Sequence, residues 1–399
     1  MQKDVQTDVV PSFWIQYEKR KLKECADSLH NLASAFMIEE KEEEENDRQK
    51  LFFKRRMTEN RTLMADHLKE MAAMIEQVAE EKFKIVCLPL KQEKMLVKML
   101  LQEGLILEEF SILKKENGRM EVLARLYQNS FSGKKRYSTS EEVAEFLSVF
   151  LNMRLVPSLN TPFFVGEKAE NFCFEEDAGY MVLTGYAKVT KEGEKVSGDN
   201  FIFFESSGKK FHSILSDGMG SGEKACKDSE EVIEMAERFL ETGLSDVTMA
   251  KMMNASLLAK GEGKNMSTLD LCSVDLYTGQ ARFLKVGATY GLLKRDGYVE
   301  KIPSISLPLG VFHDMEMNQY EKTLLDGDYI FMFSDGILDY FYGEQGELIL
   351  KELVAQIPYK RPSEMASHIL KLAISTSHGK IKDDTTILVM GIWENGKMR

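Results

Sequence analysis

The sequence predicts an α+β fold: a two-sheet antiparallel β-sandwich flanked by helices, preceded by a long helical segment and a small α+β domain. Three observations carry this expectation. The first eighty of the 399 residues hold almost no helix breaker, with no proline between Pro11 and Pro89 and no glycine before Gly104. Beyond Gly179, short β-branched and aromatic runs recur between turn pairs such as Thr278-Gly279 and Asp296-Gly297. Between these regions helical and strand periods alternate. The expected divisions are residues 1–82, a helical or coiled-coil linker; 83–177, a regulatory or dimerisation domain; and 178–399, the sandwich.

In the first division Met57, Met64, Leu68, Met71, Ile75 and Val78 fall at spacings of seven, four, three, four and three, the seam of a coiled coil or a long packed helix. The Glu39–Asp47 run reads as a solvated turn or helix face. In the second, Lys91–Glu103 is an amphipathic helix closed by Gly104. Leu105–Lys114 and Arg119–Tyr127 are strands joined through Asn117-Gly118, a hairpin signal. Thr139 or Ser140 caps a helix through Phe150, with acids in its first turn, so the order is helix, strand, strand, helix, strand. In the third, strands are expected at Tyr180–Thr190, Phe201–Ser206, Phe211–Ser216, Leu269–Tyr277, Ala281–Val286 and Tyr329–Ser334. Helices interrupt them at Glu223–Leu240, Val247–Lys260 and Pro362–Ser377. Antiparallel strands with inserted helices fit two packed sheets covered by helices.

A net charge of −12 argues against nucleic acid as a partner, which calls for a basic face. No run approaches the ~18 apolar residues of a membrane helix, and Met1-Gln2-Lys3-Asp4 does not open like a signal peptide. The chain reads as cytoplasmic, either by itself or as the cytosolic part of a membrane-anchored parent. Five scattered cysteines, with no Cys-x-x-Cys pair, read as reduced and mostly buried thiols. A cysteine phosphatase needs an arginine six positions after its nucleophile; those positions hold Asn31, Glu93, Gly179, Val232 and Thr278. Gly218-Met219-Gly220-Ser221-Gly222 lacks the Lys-Ser/Thr of a P-loop, and no Gly-x-Ser-x-Gly elbow occurs. The six histidines show no paired spacing; His313 is at most a weak proton relay.

Four aspartates remain: Asp199 in Ser197-Gly198-Asp199, Asp217 in Ser216-Asp217-Gly218, Asp335 in Ser334-Asp335-Gly336, and Asp383 in Asp383-Asp384-Thr385-Thr386. A single Asp-Gly pair is usually a turn. Several such carboxylates at strand ends suit hard divalent cations, which take oxygen ligands. Four of them can hold two ions with a water between, its pKa lowered and its attack aimed at phosphorus. Glycine after two of them lets a backbone carbonyl approach an ion.

The motifs Val196-Ser197-Gly198-Asp199, Ile214-Leu215-Ser216-Asp217-Gly218-Met219-Gly220, Ser267-Thr268-Leu269-Asp270-Leu271, Phe283-Leu284-Lys285-Val286-Gly287, Leu307-Pro308-Leu309-Gly310, Ser334-Asp335-Gly336-Ile337 and Asp383-Asp384-x-Thr386 run in this order from Gly179 to Trp393. The whole resembles the PPM family of metal-dependent serine/threonine phosphatases, in particular its sporulation and partner-switching members. The Phe53-Lys54-Arg55-Arg56…Glu59-Asn60 segment is similar to the helix that precedes their catalytic domain. The resemblance implies a PPM-type sandwich, two Mn²⁺ or Mg²⁺ ions, and hydrolysis of a phosphoserine on an anti-anti-sigma factor. It implies Asp199 as the bridge between ions, Asp217 with the Gly218 carbonyl on one ion, and Asp335 and Asp383 completing the other. Asp384 is then either a neighbour of the site or an outer ligand. The helices at Glu223–Leu240 and Val247–Lys260 resemble the family's switch element. A homodimer and a cell-division partner are further implied associations. The competing reading is a non-catalytic scaffold for the same partners, or a PPM phosphatase of another signalling pathway.

Overall fold

The computed structural model describes residues 12–37, part of 57–79, and 83–395 apart from residues 116–117, 130–136, 160, 207, 260–265, 305–307, 312–318, 342–344 and 359. The Glu39–Asp47 run, most of the Phe53–Asn60 segment, Val78, Leu307 and His313 lie outside the described residues. The chain forms two compact units, Ile75–Asp177 with Met1–Glu24, and Ala178–Arg399 with Cys25–Met74. Helix α1 spans Ser12–Phe36, and the described residues between 57 and 79 are helical. Met57, Met64 and Met71 stand 60%, 54% and 44% exposed, while Ala65, Ala72 and Ala79, one heptad apart, are buried. Leu68 and Ile75 of the expected seam are half-buried, so within this chain the alanine stripe is the most buried one.

In the first unit β1 (Phe83–Val86), α2 (Leu90–Gln102), β2 (Leu105–Lys115), β3 (Met120–Gln128), α3 (Ser140–Leu151), β4 (Leu155–Pro157) and β5 (Glu170–Glu176) follow in order. The strands make one antiparallel sheet, β1-β2-β3-β5-β4. Leu96 and Leu100 of α2 and Val143 and Leu147 of α3 bury against Val122, Leu126, Phe172 and Phe174 of the sheet. Thr139 caps α3 in a reciprocal box with Glu142, which satisfies two otherwise orphaned backbone donors. The strands β1 and β4 were not anticipated; at four and three residues they are too short to show a period.

In the second unit β7 (Asp199–Ser206), β8 (Lys210–Asp217), β9 (Leu269–Asp275), β10 (Gln280–Val286) and β13 (Gln319–Thr323) form one sheet, in the order β13-β10-β9-β8-β7. The other sheet, β12-β11-β14-β15-β6, holds β6 (Tyr180–Val189), β11 (Gly291–Arg295), β12 (Tyr298–Ile302), β14 (Tyr329–Phe333) and β15 (Thr385–Glu394). Leu215, Cys272, Val274 and Phe283 meet Ile330, Met332, Leu388 and Met390 between the sheets. Outside the first sheet lie α4 (Gly222–Glu241) and α5 (Asp246–Ala259), with Val232, Ala236, Met249 and Met253 over Ile214, Leu269 and Leu271. Outside the second lie α6 (Gly346–Gln356) and α7 (Pro362–Thr376), with Leu350, Val354, Ala366 and Ile369 over Phe331, Ile387 and Val389. The result is the predicted sandwich in four layers, helix–sheet–sheet–helix. Strands β11, β12, β13 and β15 were not anticipated; β15 is buried on both faces, so its apolar run shows no alternation. Asp296 (φ 45°) and Gly297 (φ 82°) turn β11 into β12 with both central residues left-handed.

All five cysteines are free thiols, but only Cys272 is fully buried; Cys25 and Cys87 are exposed. The expectation of mostly buried thiols is corrected, since one lies on a helix and the other just beyond an edge strand. Among the described residues no helix is long and apolar enough to cross a membrane.

Candidate metal centre

The two-residue period of a strand decides which side chains meet between the sheets. On β8, Leu215 packs in the sandwich interior, so Asp217 two residues on shares that face. Register pairs Asp199, the first residue of β7, with Asp217. On the opposite sheet Met332 and Leu388 face inward, which places Ser334 and Thr386 on the same level. Thr386 pairs with Lys188 of β6. The interior of one end of the sandwich is therefore polar; deeper in, the apolar core is interrupted by the buried Asp270–Lys285 ion pair (2.5 Å). Asp335 opens a short 3₁₀ turn directly after β14, and Asp383 and Asp384 directly precede β15.

Hydrogen bonds join the strand ends. The Thr386 N–H donates to Ser334 Oγ (2.8 Å), and the Ser334 N–H donates to the Thr386 carbonyl (3.0 Å). The Asp217 N–H donates to Thr268 Oγ1 (2.9 Å), and the Gly218 N–H to the Gly198 carbonyl (3.2 Å). Ser229 of α4 donates from Oγ to that same carbonyl, tying the helix to the loop before Asp199. Two glycines are required by close approach. A Cβ on Gly218 would lie 2.0 Å from the Ala225 carbonyl oxygen, and one on Gly336 would lie 2.0 Å from that of Asp384. Both positions pack backbone on backbone.

Asp199 and Asp384 are buried, Asp217 and Asp383 are half-buried, and Asp335 stands at the open edge. Asp384 is tied on both oxygens: Gly198 N–H donates to Oδ2 (2.7 Å) and Lys191 N–H to Oδ1 (2.8 Å). Asp383 accepts from Lys191 Nζ (3.3 Å) and from the Asp384 N–H (3.0 Å). Neither carboxylate oxygen of Asp199 has a hydrogen-bond partner, although both are buried. Burial, first of all, pushes its pKa up to about 6. The nearby Thr386 and Ser334 hydroxyls and Lys188 oppose the shift, and Asp384 adds to it. Asp217 is pushed up to about 9, by burial first and then by the charges of Asp199 and Asp335. Asp335 is also raised, mainly by burial, with its contact to Asp217 acting in the opposite sense. Asp217 and Asp335 lie in contact, so the protonation of each bears on the other.

Among the described residues no three acidic, histidine or cysteine side chains form a ready cage for an ion. The donor chemistry nevertheless fits a divalent cation. A buried carboxylate with both oxygens unpartnered is costly, and Asp217, raised by burial and then by the charges of Asp199 and Asp335, crowds more negative charge beside it. A cation answers both, and the all-oxygen donor set suits Mg²⁺ or Mn²⁺. Reasoning from sequence missed Lys188, whose Nζ donates to the Asp199 carbonyl (2.6 Å), and Lys191 on Asp383. It also missed Glu194, which accepts from Ser221 Oγ (2.9 Å). A lysine late in β6 and a lysine and a glutamate in the loop after it carry no motif; only their place in the fold distinguishes them.

The chain matches the profile of the Stage II sporulation protein E (SpoIIE) family over residues 207–393. It is 28% identical over 347 residues to Stage II sporulation protein E of Bacillus subtilis, covering 86% of this chain and 41% of that protein. It is 21% identical over 207 residues to the phosphoserine phosphatase RsbU of the same organism, covering 51% of this chain and 61% of the relative. The chain therefore spans about two fifths of the SpoIIE relative's length. Among solved structures, the PP2C phosphatase domain of Bacillus subtilis SpoIIE with a fragment of its regulatory domain superposes with a TM-score of 0.63. That match has 27% identity and covers 87% of this chain and 97% of that one. The four-layer sandwich, the carboxylates at one end of it and these matches together make the chain similar to SpoIIE and to the PP2C-type phosphatase domain that SpoIIE carries.

Proposed function

We propose that this chain hydrolyses a phosphoserine monoester on a protein, with an anti-anti-sigma factor of a sporulation or partner-switching pathway as substrate. The observation that carries the reading is the pairing of Asp199 with Asp217 across β7 and β8, with both Asp199 oxygens buried and unpartnered. Asp199, Asp217, the Gly218 carbonyl, Asp335 and Asp383 would hold two Mn²⁺ or Mg²⁺ ions. Bound there, the ions supply Lewis-acid charge and a water of lowered pKa. Asp384 acts differently, because its two backbone hydrogen bonds fix the loop before Asp199 against the strand after Asp383. Ser334 and Thr386 lock the two strand ends on the opposite sheet. The rigid backbone at Gly218 and Gly336 then keeps the carboxylates from drifting apart, which matters because positioning supplies much of the rate in phosphoryl transfer.

The test is phosphate release from a phosphorylated anti-anti-sigma protein, with and without Mn²⁺, for the wild-type chain and Asp335→Asn. Metal-dependent release that Asp335→Asn abolishes is expected. Release that ignores both the metal and the substitution would sink the proposal.

A further inference from the structure

The loop between β6 and β7 reaches both halves of the carboxylate cluster and carries an ammonium group to its edge. Glu192 N–H donates to the Ile381 carbonyl (3.1 Å) and Lys191 N–H to Asp384 Oδ1 (2.8 Å), so two backbone bonds stitch the loop to the segment before β15. At the other end Gly198 N–H holds Asp384 Oδ2 (2.7 Å). Lys191 is therefore fixed at its backbone beside Asp383, and its Nζ lies 3.3 Å from Asp383 Oδ1, with the two side chains 37% and 40% exposed. An ion pair this open is worth little and exchanges readily.

Two requirements converge on this ammonium. A cation ligated by Asp383 competes with it for the charge of that carboxylate, and for Oδ1 directly. A phosphoryl dianion entering a cluster of aspartates also needs a positive group, and lysine is a common phosphate binder as a point charge. The other ammonium at the cluster, that of Lys188, is engaged at 2.6 Å by the Asp199 carbonyl. We propose that Lys191 is a partner-exchanging cation: it pairs with Asp383, yields that carboxylate to the metal, and then contacts the phosphate of the substrate. This rests on the proposed phosphatase function.

Calorimetry on the full chain tests it without relying on turnover, using MnCl₂ first and then inorganic phosphate at saturating Mn²⁺. Lys191→Met should bind Mn²⁺ about two- to fivefold more tightly, the scale of an exposed ion pair removed as competitor. The same variant should bind phosphate about tenfold more weakly, the scale of one lost charge-assisted contact. Lys191→Arg, which keeps the charge, should bind phosphate within about threefold of wild type. The inference needs both shifts: Mn²⁺ affinity unchanged or weakened in Lys191→Met, or phosphate affinity unchanged, overturns it while the phosphatase reading stands. A wild-type chain that takes up no Mn²⁺ overturns both.

Discussion

Replacing Asp199 with asparagine should make the chain more stable in the absence of metal and deaf to metal when it is added. The carboxyl is fully buried, and its pKa stands at about 6 against an ordinary value of 3.8. The folded chain therefore binds this proton more tightly than the unfolded chain does. Stability is highest below pH ~4, declines as the pH rises toward about 6, and stays low above that. A gap of about two pK units corresponds to roughly 3 kcal/mol of destabilisation at pH 7. Asparagine removes the charge but leaves a buried polar group, so about 2 kcal/mol should return, or about 4–8 °C in Tm for a unit of this size. At pH 4 the gain should vanish, because the native carboxyl is then neutral. Mn²⁺ at 100 times its Kd should stabilise wild type by about 2.7 kcal/mol and Asp199→Asn hardly at all. The assay is thermal unfolding in EDTA at pH 4 and pH 7, repeated with Mn²⁺. An Asp199→Asn chain that melts below wild type in EDTA at pH 7, or that keeps the full Mn²⁺ gain, would refute the reasoning.

Two further perturbations probe the scaffold. Gly218→Ala and Gly336→Ala each place a methyl 2.0 Å from a backbone oxygen. Each should cost at least about 1–3 kcal/mol, read from urea midpoints, whereas Gly166→Ala, with open space around it, should be nearly neutral; equal costs at all three would count against the packing argument. Asp384→Asn leaves one oxygen to serve two backbone donors, so about 1–3 kcal/mol should be lost in EDTA, while the further gain on adding Mn²⁺ should match that of wild type. A Mn²⁺ gain much smaller than that of wild type would instead make Asp384 a ligand.

Six of the ten sandwich strands, β6–β10 and β14, were legible from β-branched and aromatic runs beside turn residues, while β11, β12 and β13 were not. The four aspartates were legible for a similar reason: each sits at a strand end beside glycine or threonine, a local signal that needs no knowledge of the fold. The strand β15 was not legible, because helices cover one of its faces and the other sheet covers its opposite face. Nor was the packed stripe of the helical segment. The methionine spacing suits a seam, yet the alanines beside it are the ones that bury.

Residue order by itself determined the antiparallel sandwich, the candidate oxygen ligands and the exclusion of cysteine and P-loop chemistry, since each follows from spacing within a few residues. The tertiary structure alone decided which of two adjacent aspartates is engaged by backbone donors and which faces a lysine. It also decided that Asp199 has no partner for its oxygens, and that Lys188, Lys191 and Glu194 border the cluster. These depend on strand register and on the contact of segments almost two hundred residues apart, such as Gly198 and Asp384. No local pattern encodes a distance of that kind, because it is set by how two sheets stack.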